Sequence, residues 1–284
     1  MISRIAQERM WFATFRIAAL TVLLFLFAFL LILSLKGARV INWEFLTQSP
    51  REGMTEGGIF PAILGTLYLS LGAVLLAFPV GVMTAIYLTF YAPRNPLTQA
   101  IRVSISNLAG TPSIVFGLFG LALFVKTFGF GVSILSGVLT LGLLVLPIVI
   151  RASEEALRAV PQEFLEASYA LGATKLQTIR RVVLPAASGG ILTGVILSLA
   201  RAAGETAPIL FTAASFYTTE LPKSPFDETL ALPFHIFALM TEGTAPEAHT
   251  RIAFGATLVL LALVLSLNLV AIIQRYRLQR GKKW

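Results

Sequence analysis

The stretch SLARAAGETAPILFTA (198–213) is apolar on both sides, yet it carries Arg201 and Glu205 four positions apart, followed by Thr206 and Pro208. At that spacing two side chains share one helix face and can offset each other's charge. A guanidinium presents two parallel donors that match two oxygens of an oxyanion. The chemistry on offer is therefore anion handling: Arg201 meets the anion as it passes, and Glu205 holds Arg201 in place when the path is empty. Glu205 can also accept a hydrogen bond from a protonated oxyanion such as phosphate, which fully deprotonated sulfate cannot donate. Pro208 cannot donate to the carbonyl of Gly204, and its ring crowds that carbonyl, so the helix is expected to kink or unwind over 204–208. Thr206 is placed to cap the restarted half. Helices broken near the membrane centre turn freed amides and helix ends toward an ion. The competing reading is an Arg–Glu pair that only locks two spans together, although a buried pair is weak evidence for stability.

A second stretch, RASEEALRAVPQEFLEASYALGATKLQTIRRVVLPA (151–186), is polar and basic. Pro161 suits the first turn of a helix, with Glu163 and Glu166 near its positive end. Phe164, Ala167, Ser168 and Leu171 recur at i, i+3, i+4 and i+7 and predict one shared face. Gly172 fits a C-terminal cap, and Thr174 the N-cap of a next helix that bears Lys175, Arg180 and Arg181 and ends before Pro185. The spacing predicts two short helices meeting at a glycine elbow. Such an elbow either lies on the headgroups as an amphipathic surface or docks a soluble partner, and local chemistry leaves both open.

These residues need elements to hold them. Of 284 residues, 56% are hydrophobic and 13% charged, where a soluble domain carries about 25% charged. That excess of apolar surface predicts an all-α integral membrane protein. Apolar runs at 17–35, 60–90, 104–125, 132–150, 187–213 and 252–273 give six transmembrane helices, at about 20 residues per crossing. The first follows a basic arm and is too long for a signal-peptide core, so it reads as a retained anchor. Pro79 and Gly81 are expected to kink or end the second early. Gly110, Thr111, Pro112 and Ser113 break the third. TLALPFHIFALM (229–240) is too short to cross and reads as re-entrant or interfacial. Gly190 and Gly194 form a small-xxx-small pair suited to close packing of spans. With the fifth span helical from Ala187, Arg201 lies about 21 Å in and Glu205 about 6 Å further. A lone charge at that depth costs at least about 2.5–3.5 kcal/mol, so this face should turn to a partner or a wet cavity.

Placing the N-terminus in the cytoplasm puts 15 Lys and Arg on that side, clustered at 4–16, 94–102, 151–181 and 275–283. The outer side receives 6: Lys36, Arg39, Arg51, Lys126, Lys223 and Arg251. The bias predicts both termini inside, in agreement with an even number of spans. The chain divides into an arm, first span and outer loop (1–58), a core of five spans (59–275) and a basic tail (276–284). No phosphate-binding GxxxxGK[ST] loop occurs, and the cysteine count is zero, which excludes a disulfide framework. His235 and His249 lack metal-ligand spacing and read as loop residues. Without paired catalytic carboxylates, a metal cluster or a nucleophile constellation, an enzyme is not expected.

Glu166-Ala167-Ser168, Gly172 after three residues and Val182-x-Leu184-Pro185 after nine more resemble the "EAA" loop of ABC-importer permeases, with Ser168 and Val182 as departures. LAGTPSIVFGLFG (108–120), 154–187 and ARAAGETAPILFTA (200–213) are similar to phosphate-importer permeases of the PstA type, over roughly residues 60–275. The resemblance implies the type I importer (MetI-like) permease fold in the bacterial cytoplasmic (inner) membrane. It implies a coupling helix built from Glu163, Phe164, Glu166, Ala167, Ser168, Leu171, Gly172, Ala173 and Thr174 that docks in a groove of an ATP-hydrolysing subunit. The implied partners are a PstC-like permease subunit, a PstB-like ATPase dimer carrying ATP-Mg, and an extracytoplasmic phosphate-binding protein. The chain itself would bind no cofactor, with Arg201, Glu205 and Thr206 on the substrate path. Two alternatives stay open: a permease for another oxyanion such as molybdate or sulfate, and a stand-alone ion-coupled transporter.

Overall fold

The structure, a computed structural model, describes residues 4–279 except 216, 217, 219 and 244. The tail cations Arg280, Lys282 and Lys283 lie outside the described residues. In chain order the helices are α1 (Arg4–Gly37), α2 (Trp43–Thr47), α3 (Phe60–Ile86), α4 (Pro96–Gly110), α5 (Ser113–Gly120) and α6 (Ile134–Arg158). They continue as α7 (Gln162–Ala170), α8 (Lys175–Thr178), α9 (Leu184–Gly204), α10 (Ala207–Thr212), α11 (Leu232–Thr241) and α12 (Pro246–Gln279). A small antiparallel hairpin, β1 (Pro50–Arg51) with β2 (Glu56–Gly57), pairs Pro50 with Gly57 and Arg51 with Glu56. Three π-helical turns, at Tyr87–Tyr91, Leu121–Thr127 and Ile179–Val183, extend or join helices.

Five continuous helices are long and apolar enough to cross a membrane: Gln7–Gly37, Phe60–Tyr91, Ile134–Arg158, Lys175–Gly204 and Pro246–Arg277. The candidate for a sixth is a bent pair, in which α4 meets the helix Ser113–Thr127 at 102°, the shape of a broken span or a re-entrant loop. The break falls at Thr111 and Pro112, inside the predicted 110–113. One proline expectation is narrowed and one is corrected. The second span runs past Pro79 to Tyr91 without ending. Pro185 does not stop the helix that starts at Lys175; it sits in the first turn of α9, where its missing N–H is tolerated. The π turn just before it leads straight into α9, the Leu184 N–H bonding to the Ile179 carbonyl five residues back. The loop predicted at 151–186 thereby shrinks at both ends: α6 reaches Arg158, and the long helix begins at Lys175.

Packing centres on α3 against α6, with α9 against α6 and α12 against α9, while α1 lies along α12 at the edge. Gly190 and Gly194 deliver the close approach expected of them, since a Cβ there would come within 2.5 and 2.6 Å of the Cβ atoms of Ala156 and Ala152 on α6. The main core joins Leu69, Ala73, Leu141, Val145, Ile209 and Leu232, and a second cluster of Ala85, Leu157, Val183 and Ala187 sits under the elbow. The apolar segment 229–240 is a helix folded into the protein: Leu232, Phe234, Ala238 and Leu239 of α11 are buried, and the Leu232 N–H donates to Thr66 Oγ1 at 2.8 Å. His235 and His249 are not loop residues; they lie in α11 and α12 and are 1% and 2% exposed. The Nδ1 of His249 accepts from the Ala245 N–H, so its Nε2 donates to the Gly53 carbonyl.

Candidate functional site

Two places carry the sequence's candidate residues, and one helix connects them. At its C-terminal end α9 stops at Gly204, Glu205 is extended (φ −77°, ψ 133°), and α10 restarts at Ala207 with Pro208 in its first turn. The predicted unwinding over 204–208 is therefore present. Arg201 Nε lies 3.2 Å from Glu205 Oε1, with 40% of the arginine side chain and 15% of the carboxylate side chain exposed. The pair is offered outward rather than sealed in. Leu197, Arg201 and Gly204 form an exposed row on α9, and a Cβ on Gly204 would meet nothing within 4 Å. A charged row on an apolar helix needs a cover other than lipid. Thr206 occupies the N-cap position of α10, but its side chain makes no capping bond, so the predicted cap is corrected. The restart is held by packing: α10 lies on α5, where a Cβ on Gly117 would approach the Ala207 carbonyl and Pro208 Cα to 3.0 Å. The two broken spans are thus brought side by side.

At the N-terminal end of this long helix the elbow is built from complete local bonding. Helix α7 closes with the Gly172 N–H on the Tyr169 carbonyl and the Ala173 N–H on the Ser168 carbonyl, the paired bonds of a Schellman turn. Gly172 takes φ +78°, in the left-handed region where a side chain is strained. Thr174 caps α8 by accepting from the Gln177 N–H, while the Gln177 side chain accepts from the Thr174 N–H. Pro161 stands at the N-cap position of α7, one place before its first turn, and Glu163 and Glu166 are exposed. The predicted shared face divides. Ser168 is buried and Phe164 half-buried beside Leu165, whereas Ala167 is exposed and Leu171 is 89% exposed. Leu171 falls at the helix end, where the chain turns away and nothing covers it. Leu176 of α8 is 66% exposed, so the elbow presents an apolar knuckle outward. The departure at Ser168 has a local reason: its hydroxyl pairs with that of Thr178 at 2.9 Å, tying α7 to α8 across the glycine.

Sequence reasoning missed an ionic cluster beside the elbow. Glu154 is buried and bridges Arg102 of α4 and Arg158, the latter at 2.8 Å. Arg102 also donates to the Leu88 carbonyl. Lys175 donates to the Phe90 carbonyl and lies 4.6 Å from the Tyr91 ring centroid, which fastens the elbow to the end of the second span. The local signal was Glu154 four residues before Arg158 on one helix face; nothing in the sequence pointed to Arg102.

The family described as binding-protein-dependent transport system inner membrane component matches residues 77–284. The probable ABC transporter permease protein YqgI of Bacillus subtilis is 36% identical over 262 residues, covering 88% of this chain and 87% of that protein. The phosphate transport system permease protein PstA of Mycobacterium leprae is 42% identical over 235 residues, covering 81% and 75%. Among solved structures, a bacterial alginate ABC transporter in complex with an alginate pentasaccharide-bound periplasmic protein superposes with a TM-score of 0.67 at 16% identity over 95% of both chains. The inward-facing MetNI methionine ABC transporter gives 0.63 at 17% identity, over 76% of this chain and 94% of that one. The fold is that of ABC-importer permeases.

Proposed function

We infer that this chain, which belongs to the binding-protein-dependent transport system inner membrane component family, is the membrane permease subunit of an ATP-driven importer of inorganic phosphate. The permeases named for phosphate transport among its relatives support the cargo. In this reading both termini are cytoplasmic, the membrane is the bacterial inner membrane, and the chain forms half of the path beside a PstC-like subunit. A PstB-like dimer holds ATP-Mg and docks on the elbow; a binding protein delivers phosphate from outside. The chain itself carries no cofactor and hydrolyses nothing.

One observation carries the reading. A single uninterrupted helix, Lys175–Gly204, has the exposed apolar knuckle at its foot and Arg201 near its top. The 26 residue steps from Lys175 to Arg201 rise about 39 Å at 1.5 Å per residue. Docking of an ATPase on Leu171 and Leu176 covers the knuckle, and closure of the ATPase dimer moves the foot of a helix whose top bears the anion group. The outward row of Leu197, Arg201 and Gly204 then faces the second permease, so that the path runs between the two subunits. Phosphate takes the two parallel donors of Arg201 in place of Glu205, and Glu205 accepts a hydrogen bond from the hydroxyl of the protonated anion. The test is uptake of labelled phosphate by the reconstituted complex bearing Arg201→Lys, with sulfate and molybdate as competitors. Uptake should fall about tenfold or more, because an ammonium keeps the charge and loses the fork. Near-normal uptake with intact assembly would remove Arg201 from the path.

A further inference from the structure

Two cavities flank helix α4, and neither belongs to the path or the knuckle. One, about 660 Å³, is lined by Arg94, Thr98, Gln99, Arg102 and Arg158. The other, about 380 Å³, is lined by Ile105, Leu108, Val115, Phe119, Leu146 and Ile150. Thr98, Arg102, Ile105 and Leu108 follow one another along one side of α4 at steps of four, three and three residues, so the polar lining passes into the apolar one within a helical turn. Helix α6 repeats the order, with Leu146 and Ile150 on the apolar side and Arg158 on the basic side.

The basic compartment is lined by three arginines; Arg102 and Arg158 share the carboxylate of Glu154, so the four groups together carry an excess of two positive charges. Arg94 is exposed and the Arg158 side chain is 58% exposed, so both can meet something outside the chain. Helix α4 buries none of its residues within the protein, and Leu97 and Leu108 are 67% and 47% exposed. Its 102° angle to the Ser113–Thr127 helix means that the two cannot both run along the membrane normal, and a helix that joins Arg102, and Arg94 just before its start, to exposed leucines suits the headgroup level.

We propose that the groove along α4 binds an anionic phospholipid, its phosphate among Arg94, Arg102 and Arg158 and an acyl chain against Ile105, Leu108, Val115 and Phe119. The inference rests on the membrane orientation given above, with the elbow on the cytoplasmic side. The excess positive charge selects an anion, and the adjoining apolar compartment selects one that carries a tail. Free phosphate or an acidic segment of the ATPase would leave that second compartment empty. The bound lipid would sit beside Leu88 and Phe90, whose carbonyls receive Arg102 and Lys175, and so beside the elbow's own anchorage.

The test uses the assembled transporter in nanodiscs of equal parts phosphatidylcholine and phosphatidylglycerol, with lipids retained after detergent extraction counted by native mass spectrometry. The wild-type complex should retain phosphatidylglycerol in preference to phosphatidylcholine. Each arginine near an anionic surface contributes about a fivefold factor, so Arg94→Gln with Arg158→Gln should weaken retention about 25-fold. Leu108→Trp, which fills the apolar compartment and leaves every charge in place, should also lower it. Equal retention by wild type and both variants would overturn the proposal. So would displacement of the retained lipid by inorganic phosphate, which identifies a free-anion site, or crosslinking of Arg94→Cys to the ATPase, which identifies a protein contact. Uptake of labelled phosphate by the same wild-type particles is measured separately: if it is absent in every lipid while retention behaves as stated, the importer reading fails and the lipid site stands.

Discussion

The elbow and the α9–α10 break are both interruptions of a helix at a glycine with charges close by, and they are finished in opposite ways. At the elbow every turn bond is closed: a Schellman pair, a two-way capping box and a buried hydroxyl pair hold residues 168–178 in one shape. What it leaves outward is apolar, Leu171 and Leu176. At the break the restart lacks a side-chain cap, and what is left outward is polar, Arg201 paired with Glu205. A surface meant to be gripped must be rigid and dry, because ordering it during docking would cost affinity. A surface meant to be passed must hold charge ready and keep partners that exchange easily. Under the proposed function the contrast corresponds to two jobs on one helix.

The sharpest way to break that contrast is Leu171→Asp. A leucine that exposed has nearly its whole side chain to bury, worth about 1.5–3 kcal/mol, and the substitution adds an unpaired carboxylate to the contact. Copurification of the ATPase should weaken about a hundredfold, while Arg201→Lys leaves it unchanged and lowers uptake alone. Loss of ATPase binding in both variants would mean that the two regions do not have separate tasks. Next in size is Gly172→Ala. No atom lies within 4 Å of the added Cβ, so any effect comes from the backbone, about 1–2 kcal/mol for leaving glycine at φ +78°. The complex should show a lower thermal midpoint and weaker ATPase association. The smallest effects compare two threonines at N-cap positions. Thr174→Ala removes a formed cap and should cost about 1 kcal/mol in unfolding. Thr206→Ala removes no capping bond and should cost about 0.5 kcal/mol or less. Equal losses in unfolding at the two would contradict the description of the break as uncapped.

Local rules made most of this legible. Apolar run lengths located the spans, and Gly204 with Pro208, and Gly110 with Pro112, marked both broken ones, because a missing N–H cannot be hidden from the sequence. Gly172 and Thr174 were readable as caps for the same reason. What local rules misjudged was proline inside a packed helix. Pro79 and Pro185 lie in helices whose neighbours or a π turn absorb the lost bond, and neither is visible in a single strand of sequence. The expected shared face of α7 missed because Leu171 satisfies the helical spacing while standing beyond the last residue that anything covers. Glu154 with Arg102, and Ser168 with Thr178, are tertiary pairs; their residues are far apart along the chain or separated by the turn that brings them together.

The π turn at Ile179–Val183 has a consequence for azimuth. A wide turn takes up about one residue more than an α-helical one, and each residue of a helix is worth about 100° of rotation about its axis. The compass bearing of every side chain above it, the Arg201 guanidinium included, therefore depends on a turn near the foot of the helix, about 30 Å away. Deleting one residue from this segment would let it close as an ordinary α turn and keep that bearing, whereas deleting one residue above it would swing the guanidinium by more than a quarter of a circle.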